Sequence, residues 1–159
     1  MSRAEKRSAA RLAAVQALYQ MDVAAKGITE VFAEFESHWI GREIEGDQYK
    51  PAEIALFKTL VEGVLDKQQL VDIEIDSVLA KGWPLGRIEA VMRAALRGGA
   101  YELMFMEHVP PKVVISEYVD IARAFFGAEE TNMVNAVLDR LARDLRGDAQ
   151  GQLAGKANP

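Results

Sequence analysis

Apolar residues recur along almost the whole chain at intervals of three and four, a period that predicts helices rather than strands. The first helix is expected from about residue 4 to 25, ending near Gly27. Residues 28–39 form a second, with Val31, Phe32 and Phe35 as its apolar face, and 41–50 lack periodicity and read as a loop. Pro51 suits the first turn of a third helix, where its missing N–H costs nothing. That helix carries Ile54, Leu56, Phe57, Leu60, Val61, Val64 and Leu65, and after a short break 70–79 continues with Val71, Ile75, Val78 and Leu79. Lys81-Gly82-Trp83-Pro84-Leu85-Gly86 is the clearest punctuation and reads as a boundary between two lobes, about 1–80 and 84–145.

Beyond it, 87–106 places Ile88, Val91, Met92, Ala95, Leu96, Gly99 and Leu103 on one face. The Gly98-Gly99 pair inside costs roughly 1 kcal/mol per glycine relative to alanine, which points to another helix approaching closely or to a bend. Pro110-Pro111 closes that run and opens the next, whose buried stripe is Val114, Ile115, Tyr118, Ala122, Phe125 and Phe126; Gly127 is a natural stop. The last helix, about 128–145, buries Val134, Val137, Leu138, Leu141 and Leu145, with Glu129 and Glu130 in a first turn that favours acids. Residues 146–159 are polar and Gly-rich and read as a frayed tail. The expected architecture is all-α: about seven helices in two small three-helix-type bundles, making a single domain over 1–145.

Composition narrows the picture. With 159 residues, half of them apolar, the chain has enough material for an ordinary core. It has no cysteine, hence no disulfide or thiol chemistry, which fits a reducing compartment. No N-terminal apolar h-region and no run of membrane-spanning length occurs, so a cytoplasmic protein without a membrane partner is expected.

The net charge of −5 argues against a general, charge-driven nucleic-acid binder. Any such contact must be local, and the front of the chain is the candidate. Residues 1–20 carry Arg3, Lys6, Arg7 and Arg11 against Glu5, a local charge of +3 that leaves −8 for the remainder. At about 100° per residue, these four fall within one stripe some 140° wide, with Leu12, Val15 and Tyr19 on a different face. Such a helix can anchor through one face and offer cations to a polyanion on the other. A solvated N-terminal helix has the same pattern.

Catalytic chemistry is hard to find. His38 and His108 lack partners at metal-ligand spacing, so no metal is expected. Gly82, Gly86, Gly98 and Gly99 do not form a phosphate-cradling loop after a strand, so no cofactor is expected either. The carboxylate series Asp72-Ile73-Glu74-Ile75-Asp76 reads as a solvated helix face. An enzyme is not expected.

Three stretches, taken in register, carry a family resemblance. They are Arg11-Leu12-Ala13-Ala14-Val15-Gln16-Ala17-Leu18-Tyr19-Gln20; Met92-Arg93-Ala94-Ala95-Leu96 with Ala100-Tyr101-Glu102-Leu103; and Val109-Pro110-Pro111-Lys112-Val113-Val114-Ile115-Ser116-Glu117-Tyr118 leading to Phe126-Gly127-Ala128-Glu129-Glu130 and Met133-Val134-Asn135-Ala136-Val137-Leu138-Asp139. Over about 3–145 the chain resembles the NusB family of bacterial transcription antitermination factors. The resemblance implies an all-α fold and no catalysis. It also implies pairing with the small-subunit ribosomal protein NusE, and binding of the boxA element of nascent RNA in ribosomal RNA operon leaders. The antitermination complex with RNA polymerase and other Nus factors would follow.

The family's arginine-rich motif falls on Arg3, Lys6, Arg7 and Arg11. A second RNA-facing region falls on Gly127, Ala128, Glu130 and Met133. The chain departs from the pattern in two places: Ser8-Ala9-Ala10 follows Arg7 where the family often has further arginines, and Met133 stands where it commonly has Phe. The second stretch is also one residue shorter than usual. Fewer phosphate contacts and a weaker stacking side chain are the expected consequences. Two other readings are compatible with the helices: an adaptor that touches no RNA, and a domain related to the RNA-recognition part of rRNA cytosine-5 methyltransferases, whose catalytic α/β domain and nucleophilic cysteine have no counterpart here. A homodimer, and the part Tyr101 and Glu102 play, stay open at the level of sequence.

Overall fold

A computed structural model describes residues 2–44, 51–79 and 85–157, the side chains of 38–44, 51, 52, 87 and 148–157 excepted. Among the described residues six α-helices follow one another: α1 (Arg3–Ala24), α2 (Ile28–Ile44), α3 (Pro51–Val78), α4 (Ala90–Phe105), α5 (Pro111–Phe125) and α6 (Ala128–Ala157), with one 3₁₀ turn, Leu85–Arg87, before α4. No strand occurs among the described residues. The architecture is the expected all-α one, with six helices where about seven were expected, because the run at 70–79 belongs to α3. Residues 66–69 contain neither Gly nor Pro, and Val64, Val71 and Ile75 continue one buried face across them. Residues 41–44 of the expected loop continue α2, while 45–50, and 81–84 of the expected lobe boundary, lie outside the described residues.

Local chemistry explains the ends. Ser2 and Glu5 form a capping box at the start of α1: the Glu5 N–H donates to Ser2 Oγ at 3.1 Å, and the Ser2 N–H to Glu5 Oε1 at 3.4 Å. Helix α1 ends at Ala25, whose φ of 54° is left-handed. Pro111 opens α5 with Pro110 as its N-cap.

Helix α4 lies at the centre, packed on α1, α3, α5 and α6, and one continuous apolar core runs from Ala10 to Ala142 through all six helices. The Gly98-Gly99 pair has the first of the two meanings its sequence allowed. A Cβ on Gly98 would stand 2.8 Å from the Tyr118 ring of α5, and one on Gly99 2.9 Å from Leu138 of α6. A third glycine that the periodicity did not mark, Gly63 of α3, accommodates the ring of Tyr101. Backbone without side chains at these three points lets α4 sit deep among its neighbours.

Helix α6 does not fray at 146. Arg146 caps the α4–α5 turn, donating to the carbonyls of Glu102 (2.8 Å), Leu103 (3.0 Å), Met106 (3.0 Å) and Val109. The carbonyls ending α4 thereby gain a partner, and the helix runs on to Ala157.

Candidate nucleic-acid interface

The face of α1 that enters the core is not the one its large apolar residues suggest. Ala10, Ala13, Ala14, Val15, Ala17 and Leu18 are buried, while Leu12 is half-buried and Tyr19 is 36% exposed. At 100° per residue the buried set centres on the stripe that holds the basic side chains. Four alanines allow α1 to approach α3 and α4 closely, and that contact outweighs the size of Leu12 and Tyr19. The four cations therefore begin outside the body and run into it.

Arg3 and Arg7 are exposed, and among the described residues neither has an acidic partner. Lys6 is largely covered, its Nζ 3.8 Å from Glu53 Oε1 at the start of α3. Arg11, expected as part of an exposed grip, is buried. Its Nε and Nη2 donate to the two oxygens of Glu102 at 2.9 and 3.0 Å, with side-chain exposures of 4% and 0%. Glu102 also accepts from Tyr118 Oη at 2.5 Å, and Arg11 Nη1 lies 3.6 Å from Glu117. Ser8 Oγ reaches both Glu117 oxygens at 2.8 Å. Burial alone would pull the Arg11 guanidinium down; the hydrogen bond and charge of Glu102 more than offset it and leave the pKa raised. The Tyr118 hydroxyl is held well above its usual value, first by burial and then by the Glu102 charge. Glu102 is thus a structural carboxylate, and Tyr101 fills the space left by Gly63.

Gly127 and Ala128 are exposed and Glu130 half-exposed, in the turn from α5 into α6. Met133 is half-buried and leans on the core. The basic end of α1 and this turn are not one cluster. Ser8 touches Glu117, and the end of α5 at Phe125, just before Gly127, lies eight residues further on, about 12 Å away at 1.5 Å per residue. A ligand touching both must extend along α5.

Sequence reasoning missed a large groove. A groove of about 590 Å³ lies between α1, α2, α4 and α5, lined by Val15, Gln16, Tyr19, Gln20, Glu34, Phe35, Val91 and Phe125. It is continuous through Tyr19, Val91 and Phe125 with a second hollow that adds Val23 and Glu89. Phe125 is 45% exposed and Gln20 Oε1 is buried without a partner among the described residues. The sequence signal was three aromatic residues, Tyr19, Phe35 and Phe125, each read as helix packing. Among the described residues no group of His, Asp or Glu could hold a metal ion, and no helix is long and apolar enough to cross a membrane.

Comparison with known proteins aligns most of the chain. Residues 8–143 match the family model described as the NusB family, so the match begins just past Arg3, Lys6 and Arg7. A protein of Bradyrhizobium diazoefficiens named transcription antitermination protein NusB is 61% identical over 150 residues, 94% of this chain and 91% of that one. The solved structure of T. maritima NusB superposes with a TM-score of 0.73 at 26% identity, covering 86% of this chain and 90% of that one. A structure of antitermination factors NusB and NusE in complex with dsRNA gives 0.73 at 26% identity, covering 91% and 99%.

Proposed function

The chain belongs to the NusB family, and from that premise we propose that it is a cytoplasmic, RNA-binding transcription antitermination factor with no catalytic role. With the ribosomal protein NusE it binds boxA RNA in ribosomal RNA operon leaders. On RNA polymerase, with other Nus factors, it promotes reading through terminators. The observation that carries this reading is the 61% identity, over 94% of the chain, to a named antitermination protein.

The geometry supports a division between two surfaces. The exposed basic head of α1 suits phosphates, which position a strand without reading it. The turn at Gly127 and Ala128 lets a base approach the backbone closely, and Glu130 can accept hydrogen bonds from base amino groups. Met133, packed against the core, offers a smaller stacking surface than an aromatic ring. The groove around Tyr19 and Phe125, rimmed by Glu34 and Glu89, suits a basic protein partner with an apolar anchor.

Fluorescence anisotropy of a labelled boxA RNA, titrated with the protein alone and with NusE at two salt concentrations, tests the reading. Tighter and sequence-selective binding with NusE is expected. Absence of RNA binding under all conditions would refute it and leave a helical adaptor.

A further inference from the structure

Four basic residues head α1, yet the structure commits two of them to the protein's own carboxylates. Arg11 is bidentate on Glu102, both side chains buried, and Glu102 is also held by Tyr118. For Arg11 to reach a phosphate it would have to abandon a buried carboxylate. Leaving such a group unpaired costs more than a solvent-exposed ion pair returns. Lys6 is held less tightly, at 3.8 Å from Glu53, with side-chain exposures of 13% and 5%. The second Glu53 oxygen, Oε2, is buried with no hydrogen-bond partner among the described residues. Among the described residues Lys6 is therefore the one cation close to a carboxylate that is already short of donors, and its departure would strand that charge. Among the described residues Arg3 and Arg7 face no such competitor.

Resting on the RNA-binding reading above, we propose a division of labour within the stripe: Arg3 and Arg7 contact phosphates, Arg11 is a strut fixing α1 to α4 and α5, and Glu53 holds Lys6 off the RNA. Glu53 then sets the strength of the grip. Removing its charge frees Lys6 to become a third phosphate contact.

Counterion release separates these roles, because each phosphate contact on a single strand changes the slope of log affinity against log salt by about 0.7. The measurement is the salt dependence of affinity for labelled single-stranded boxA RNA with NusE present. Arg7→Gln should flatten the slope by about 0.7, so that its affinity deficit shrinks about threefold between 50 and 200 mM salt. Lys6→Gln should leave the slope unchanged. Glu53→Gln should steepen it by about 0.7, and the Lys6→Gln, Glu53→Gln double variant should return it to the wild-type value, which separates release of Lys6 from simple loss of a negative charge. Arg11→Gln should weaken binding without flattening the slope; if it fails to fold, the Lys6 and Glu53 variants decide. Flattening by Lys6→Gln as large as by Arg7→Gln, or an unchanged slope in Glu53→Gln, overturns the division while leaving RNA binding established. A wild-type protein that binds no RNA overturns the functional reading itself.

Discussion

Glu102 shows how a single side chain ties the sequence's strongest motif to its fold. It sits fully buried between a guanidinium from α1 and a phenol from α5, so three helices share one carboxylate. The sequence marks the Tyr101-Glu102 pair without saying which way either points; only the helix-to-helix register turns Glu102 inward. Replacing Tyr118 with Phe removes a hydrogen bond to a charged acceptor, so a loss of about 1.5–3 kcal/mol in denaturant unfolding is expected. The same variant changes the pH profile. Burial and the Glu102 charge raise the Tyr118 pKa above its usual 10.0, so the neutral phenol's contribution is complete below that pH. As pH rises further the unfolded chain ionises first and stability falls. Wild-type unfolding free energy should therefore decline more steeply above pH 10 than that of Tyr118→Phe. Parallel declines would show that the Tyr118 hydroxyl makes no such contribution.

At the level of elements, glycine placement separates packing from chain flexibility. Gly98, Gly99 and Gly147 are all helical, but only the first two meet a neighbour. A methyl group on Gly98 would press on a ring locked by Glu102, whereas Gly147 has nothing within 4 Å. Gly98→Ala should therefore destabilise by about 1–3 kcal/mol through overpacking. Gly147→Ala should stabilise by about 0.5–1 kcal/mol by restricting the unfolded chain and favouring helix. Thermal melts of the two variants check the opposite signs. The extent of the elements was legible where breakers stand, as at Pro110-Pro111 and Gly127. It was not legible at Leu145, because the polar run beyond it hides the cap that Arg146 places on a distant turn.

For the whole molecule, the basic and apolar surfaces lie at different places on the helices. The basic head of α1 and the turn at Gly127 lie apart along α5, and the apolar groove opens beside Tyr19 and Phe125. Phe125 is 45% exposed, so its replacement should barely touch the fold. In Phe125→Asp, stability within about 0.5 kcal/mol of wild type is expected, with affinity for NusE reduced at least about tenfold. Calorimetric titration against NusE measures the second and a melt the first. Unchanged NusE affinity would remove the groove from the partner surface.

The sequence by itself determined the helical class, most helix boundaries, the family and the local excess of positive charge at the front, because periodicity, breakers and charge are properties of neighbouring residues. It did not determine which face of α1 turns inward. Large side chains pointed to Leu12, Val15 and Tyr19, of which only Val15 is fully buried; the alanine face packs more closely, and close approach is a property of two helices together. That rotation makes Arg11 a buried strut, draws Lys6 towards Glu53 and leaves Arg3 and Arg7 in solvent. The number of available cations was therefore settled by tertiary packing, since a charge is free only when no carboxylate from another helix reaches it first.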